Sequence, residues 1–502
     1  MTGLSYSSAQ GRWVLAATVL GSGIASLDAT VVGIALPRIG IDFSAGVDSL
    51  QWVVTAYSLT LTAFLLLGGT LGDRLGRRRV FAFGVIWFAV ASALCAAAPS
   101  APVLIAARTL QGIGAALLTP GSLAILQASF APEDRSRAIG AWSGLGGLAA
   151  AAGPLVGGYL LAVASWRWVF LINLPLSLAV LMVTRRHVPE SIDPSAAKQI
   201  DIPGAVWAVL ALSGLTFALI EGPSRGWVSP LIVSCLIGGV LAGAGFLRAE
   251  RRGRNPMLPA GLFSARQFAA TNVVTFVMYA ALAGVLFLLP VALQQVAHYS
   301  PIEAGLSLLP VTGLMLLLSA RSGRLASRIG PRLQMTLGPL VAGCGLFLLT
   351  RLATDSFYPT GVLPGVLVLG IGLVITVAPL TATAMSSAPG EHAGIASAVN
   401  NDVARAGGLV AVAVLPVVSS LTGSAYLHAA TFAHGFRTAG LICAVMCGIG
   451  GVIAAVTISN DALGRPRRHE LTDRVQCTLA TPALTAPVEA AEPGPVDTDD
   501  AA

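Results

Sequence analysis

Four charged residues sit inside apolar runs of the 502-residue sequence: Asp28, Arg108, Asp402 and Arg405. A charge in hydrocarbon costs about 2.5–3.5 kcal/mol or more unless it is paired or hydrated, so each is a candidate for function. Asp28 lies about eight residues before the outer end of its run and Arg108 about six residues inside the outer end of its own, so at about 1.5 Å per residue both lie roughly 10 Å deep. A carboxylate balanced between a guanidinium and the cost of burial can exchange a proton for a substrate; the alternative is a permanent structural ion pair. Asp402 and Arg405 share one helical face within Asn400-Asn401-Asp402-Val403-Ala404-Arg405 and can neutralise each other. Near the cytoplasmic end of their run, they suit a structural or gating pair, or a second proton site. Glu221 and Arg225 fall near the outer surface and suggest solvated loop charges. The six histidines have no nucleophile or metal spacing, and the six cysteines lie mostly in apolar runs without CxxC. No enzyme, metal or cofactor is expected.

The elements that must carry these charges follow from composition. Hydrophobic residues make up 55% of the chain and charged ones 11%, against about 25% charged in ordinary soluble proteins. The apolar residues come in blocks of about 20, each long enough to span hydrocarbon. The first block runs past Leu36, longer than a signal segment, and stays as a span. Fourteen such blocks can be counted, or twelve spans if the seventh and eighth are re-entrant. The formal charge of +7 is not one basic patch, which argues against nucleic acid; the basic residues sit in short clusters at alternate block ends. With the amino terminus inside, 23 of the 30 Arg and Lys fall in cytoplasmic segments, 5 outside and 2 in the membrane. That separation supports an even number of spans and two cytoplasmic termini. The expected class is an all-α membrane protein of fourteen spans. The expected order is a cytoplasmic amino terminus (1–11), a six-helix bundle (12–184), a cytoplasmic loop (185–202), two linking transmembrane helices (203–247), a second loop (248–267), a second six-helix bundle (268–458) and a disordered cytoplasmic tail (459–502).

The two bundles share a phrase. Gly69-Thr70-Leu71-Gly72-Asp73-Arg74-Leu75-Gly76-Arg77-Arg78-Arg79 follows the second span and Gly323-Arg324-Leu325-Ala326-Ser327-Arg328-Ile329-Gly330-Pro331-Arg332 the tenth, as in parallel repeats that build transporters. The first phrase resembles the loop motif of the major facilitator superfamily. Leu27-Asp28-Ala29-Thr30-Val31-Val32, Arg108-Thr109-Leu110-Gln111-Gly112, Gly153-Pro154-Leu155-Val156-Gly157-Gly158 and Trp166-Arg167-Trp168-Val169-Phe170 narrow the resemblance to its fourteen-helix drug:proton antiporter family. Ala149 and Ser327 depart from the pattern, the latter standing where the first repeat has Asp73.

The resemblance implies a bacterial cytoplasmic-membrane exporter that works by alternating access, driven by the proton gradient and expected to act as a monomer. It implies proton coupling by Asp28 and Arg108, and an antiporter motif at Gly153, Pro154, Gly157 and Gly158. Asp73 would act as a conformational switch with Gly72, Gly76 and Arg77, with Glu133 or Asp134 as candidate counter-charges. Superfamily geometry places a substrate cavity between the halves, with Gln51, Trp52, Tyr57, Gln111, Asn272, Phe276, Tyr279 and Thr376 as candidates. Such a cavity would take amphipathic molecules, and a carboxylate in it would favour cationic ones. Export of an endogenous metabolite, lipid or siderophore is the nearest alternative, followed by proton symport for uptake and by a non-transporting sensor.

Overall fold

The computed structural model describes residues 3–192, 201–252, 261–353, 356–387, 393–422 and 428–460. The expected tail beyond residue 460, and the middles of both long loops, lie outside them. Backbone amides in hydrocarbon have no water to bond, so long apolar runs close their hydrogen bonds within a helix. The chain runs through α1 (Ala9–Phe43), α2 (Val47–Leu75), α3 (Arg77–Ala97), α4 (Ala101–Ser129), α5 (Pro132–Val163) and α6 (Trp168–His187, interrupted at Ile172). Then come α7 (Ile202–Arg225) and α8 (Pro230–Arg252). The second set is α9 (Arg266–Gln295), α10 (Pro301–Ile329, interrupted at Leu308), α11 (Pro331–Leu349), α12 (Tyr358–Ser386, opening on a π-helical turn), α13 (Ala393–Val418) and α14 (Ala429–Thr457).

Twelve of these helices, among the described residues, are long and apolar enough to cross a membrane, α7 and α8 included. The bent α2 makes a thirteenth if it is one span. α5 carries Glu133, Asp134, Arg135 and Arg137 near its start and no further charged residue before its end at Val163.

The two sets pack alike. α1 lies on α5 as α9 lies on α13, α2 on α4 as α10 on α12, α3 on α4 as α11 on α12, and α3 on α6 as α11 on α14. One turn repeats to the residue. Gly76 (φ +108°) joins α2 to α3 and Gly330 (φ +86°) joins α10 to α11, each in a region that glycine enters without a Cβ clash. The amide two residues on is held by a side chain that follows the sixth helix of its own set: Arg78 N donates to Glu190 Oε1 (3.0 Å), and Arg332 N to Asn460 Oδ1 (3.2 Å).

The sets meet along α1–α9, α2–α13 and α5–α10, and α7 covers one seam by packing on both α2 and α13. α8 packs chiefly on α7 and leaves Leu236, Ile237, Val240, Leu241 and Leu247 exposed, as a lipid-facing helix does. Both described ends of the chain lie at one end of the molecule: Leu4 N donates to Ser129 O, and Ser459 N to Gln267 Oε1. At the opposite end Gln51 Nε2 donates to Val412 O (2.6 Å) and Gln294 Nε2 to Ile34 O (3.2 Å), which ties the sets together there.

Candidate functional site

Asp28 and Arg108 meet inside the first bundle, where they are 0% and 1% exposed. Arg108 Nη1 donates to Asp28 Oδ2 at 2.5 Å and to Gln111 Oε1 at 2.6 Å, while its Nε donates to Val53 O at 3.1 Å. The other carboxylate oxygen, Asp28 Oδ1, accepts from Gln111 Nε2 (2.9 Å) and Asn173 Nδ2 (2.8 Å). Ser92 Oγ accepts from both of those amides and donates to Phe170 O (2.9 Å). The guanidinium lies 4.2 Å from the ring centre of Tyr57, whose hydroxyl donates to Ala25 O. Five helices therefore supply one buried polar network, α1, α2, α3, α4 and α6, in which Asn173 Oδ1 is left without a hydrogen bond. A buried ion pair holds only when its remaining donors and acceptors are satisfied, which is what Gln111, Asn173 and Val53 do here. Asn173 and Ser92 were not singled out from sequence, since a neutral polar residue in an apolar run carries no charge signal.

A cavity of about 540 Å³ lies between the bundles, walled by α1, α2, α9 and α13 with Pro154 and Leu308 at its edges. Tyr279 lines it; the other seven expected cavity residues lie elsewhere. Tyr57 and Gln111 belong to the Asp28 network. Gln51 ties α2 to α13. Trp52 Nε1 donates to Glu221 Oε1 (2.9 Å) on α7. Asn272 is packed at 4% exposure and accepts from Asn400, Thr376 is buried and donates to Gly372 O, and Phe276 lies outside the wall. Counting along a helix gives depth, but the face depends on how neighbours are rotated. Asp28 does not reach the cavity, although the next residues of α1, Ala29, Thr30 and Gly33, line it.

Two charge expectations are corrected. Asp402 and Arg405 form no ion pair within 4.0 Å: Asp402 Oδ1 is buried without a hydrogen bond, and Arg405 turns to the cavity. Three residues apart, two side chains share a face only loosely, and the cavity gives the longer one somewhere to go. Glu221 is no solvated loop charge; at 13% side-chain exposure within α7 it holds both Trp52 and Arg225 (2.7 Å).

Asp73 pairs with Arg77 at 2.8 Å, one helical turn apart. Gly72 opens onto space, whereas at Gly76 a Cβ would meet Glu190. Glu133 and Asp134 stay away from this loop; the Asp134 carboxylate instead accepts from Tyr6 N. Among the described residues a second acid meets the basic loop, Glu190, 3.6 Å from both Arg78 and Arg79 and placed at the amino end of α3. Glu190→Gln keeps the acceptor for Arg78 N and makes this turn resemble its Asn460 counterpart. Its expected cost is below about 1 kcal/mol, and Glu190→Ala, which removes the acceptor too, should melt measurably lower.

Gly153 and Gly157 let α5 lie against Thr30 and Val31 of α1, next to Pro154. Gly158 faces the other way: a side chain there would strike the Pro301 carbonyl, and one at Gly305 would strike the Pro154 carbonyl.

The family model of the Major Facilitator Superfamily matches residues 18–413. The chain belongs to the major facilitator superfamily. It is 35% identical over 484 residues to the puromycin resistance protein pur8 of Streptomyces alboniger, with 94% of each chain covered. It is 36% identical over 414 residues to the tetracenomycin C resistance and export protein of Streptomyces glaucescens, covering 82% of this chain and 77% of that one. A bacterial homolog of the human lysosomal transporter Spinster, in an inward-facing and unoccupied conformation, superimposes with a TM-score of 0.64 at 18% identity, covering 90% of this chain and 97% of that one. This is a multi-pass protein of the bacterial inner membrane.

Proposed function

We propose that the chain is a proton-coupled exporter of amphipathic drugs or drug-like metabolites, with fourteen spans and both termini cytoplasmic. The observation that carries this reading is the position of Asp28: sealed from the cavity, yet on the helix whose next residues form the cavity wall. A proton that arrives on Asp28 loosens its hold on Arg108, Gln111 and Asn173, and α1 can then shift its wall residues relative to the second bundle. Similarity to resistance and export proteins supports the direction of transport. In this orientation the contacts of Gln51 and Gln294 close the outer side, so the conformer is one that loads from the cytoplasm. One charge crossing 100 mV supplies about 2.3 kcal/mol and each pH unit about 1.36. Together they sustain concentration ratios of roughly several hundred for a neutral substrate exchanged for one proton.

The test uses protein in liposomes with a pH dye inside, an imposed proton gradient and a panel of amphipathic compounds. Substrate-dependent proton movement is expected from the native chain. Asp28→Asn should fold, with a lowered melting temperature, and lose that movement. Undiminished uphill transport by Asp28→Asn would remove the residue from the mechanism.

A further inference from the structure

The charge on the cavity wall is opposite to the one that would draw a cation. Arg405 of α13 is the single charged residue among the described residues that line it. No carboxylate stands within 4.0 Å of its guanidinium among the described residues, and the acid nearest in sequence, Asp402, keeps Oδ1 buried without a hydrogen bond. The one buried carboxylate of the first bundle, Asp28, is held by Arg108 and sealed from the cavity. Arginine stays protonated in proteins, and a guanidinium among apolar walls attracts an anion more strongly than one in water does.

A second observation lies across the seam. Thr55 of α2 is 1% exposed, lines the same cavity, and has a hydroxyl oxygen with no hydrogen-bond partner. Buried polar atoms are usually paired, so one left open at a cavity wall marks a place for a ligand atom. Tyr279 of α9 adds an aromatic face, and most of the remaining wall is apolar. A volume of about 540 Å³ suits one drug-sized molecule.

We propose that this cavity binds an amphipathic weak acid, its anionic group against Arg405 and its polar edge within reach of Thr55. This rests on the cavity being the substrate site of the exporter proposed above. A ligand held in this way bridges the two bundles, because Thr55 belongs to the first and Arg405 to the second. It can therefore report its presence to the seam that must open.

The test is a fluorescence titration of the full chain in detergent, without any gradient. The probes are three dansyl compounds with the same alkyl chain, ending in a carboxylate, a carboxamide or an ammonium group. The carboxylate probe is expected to bind most tightly. Arg405→Gln should weaken it about tenfold or more while leaving the carboxamide within about twofold, because it removes a charge-assisted bond and little apolar contact. Arg405→Lys should restore part of the loss. The proposal is overturned if the ammonium probe binds as tightly as the carboxylate, if none of the three binds, or if Arg405→Gln weakens all three alike. Should Arg405→Gln fail to fold, the ranking of the probes on the native chain decides alone. Because no proton flux is measured, a silent liposome assay leaves the ranking intact, and a failed ranking leaves proton-coupled export standing.

Discussion

Arg108→Ala is expected to abolish transport and to lower stability by about 3–5 kcal/mol, the cost of stripping one partner from a buried ion pair. The loss has three parts that the geometry separates. Asp28 keeps the amides of Gln111 and Asn173 but has no counter-charge left. The Val53 carbonyl loses its side-chain donor, and Tyr57 loses the cation on its ring. Asp28→Asn is milder because the guanidinium keeps Val53 O and Gln111 Oε1 as acceptors. The double variant Asp28→Asn/Arg108→Gln holds no buried charge, so it should recover much of the melting temperature while remaining inactive. Thermal unfolding in detergent reads the comparison. If Arg108→Ala melts within a degree of the double variant, the pair is not the electrostatic centre of the bundle.

That pair was legible in the sequence because charges in apolar runs are rare and depth along a helix can be counted. Its completion was not. Gln111 was expected in the substrate cavity and instead joins Asp28 and Arg108, and Ser92 and Asn173 come from α3 and α6, whose rotation about their axes no spacing reveals. The same limit explains the cavity, where depth brought Tyr279 to the wall but put Asn272 and Thr376 into helix packing. The internal repeat was legible through its glycines, and the structure carries it further than the loop phrase does. Glu190 and Asn460 differ in charge and sit in segments with no shared wording, yet each closes the turn after Gly76 or Gly330 in its own bundle. Asp402 and Arg405 show the opposite error: proximity in sequence suggested a pair, while the void between the bundles drew the arginine away.

Gly158→Leu is expected to have the second largest effect, and on conformation more than on folding. Gly158 presents its Cα to Pro301 and Ile302, and Gly305 sits against Pro154, so α5 and α10 touch backbone to backbone at the end where Gln51 and Gln294 also tie the bundles. A leucine cannot enter that contact without pushing the bundles apart. In the open form of this seam the same side chain faces the gap and costs little. The substitution therefore penalises one conformer alone, and a differential of about 3 kcal/mol shifts the equilibrium by more than a hundredfold. Substrate turnover should fall by at least about tenfold as the closed form becomes rare, with the melting temperature changed far less than in Arg108→Ala. Pulsed electron resonance between spin labels at Ser44 and Ser300, in an otherwise cysteine-free chain, measures the separation of the bundles directly. A shift to the longer distance is the expected result. An unchanged distance distribution together with normal turnover would mean that the Gly158–Pro301 contact does not gate this end, leaving α1–α9 and α2–α13 to do so.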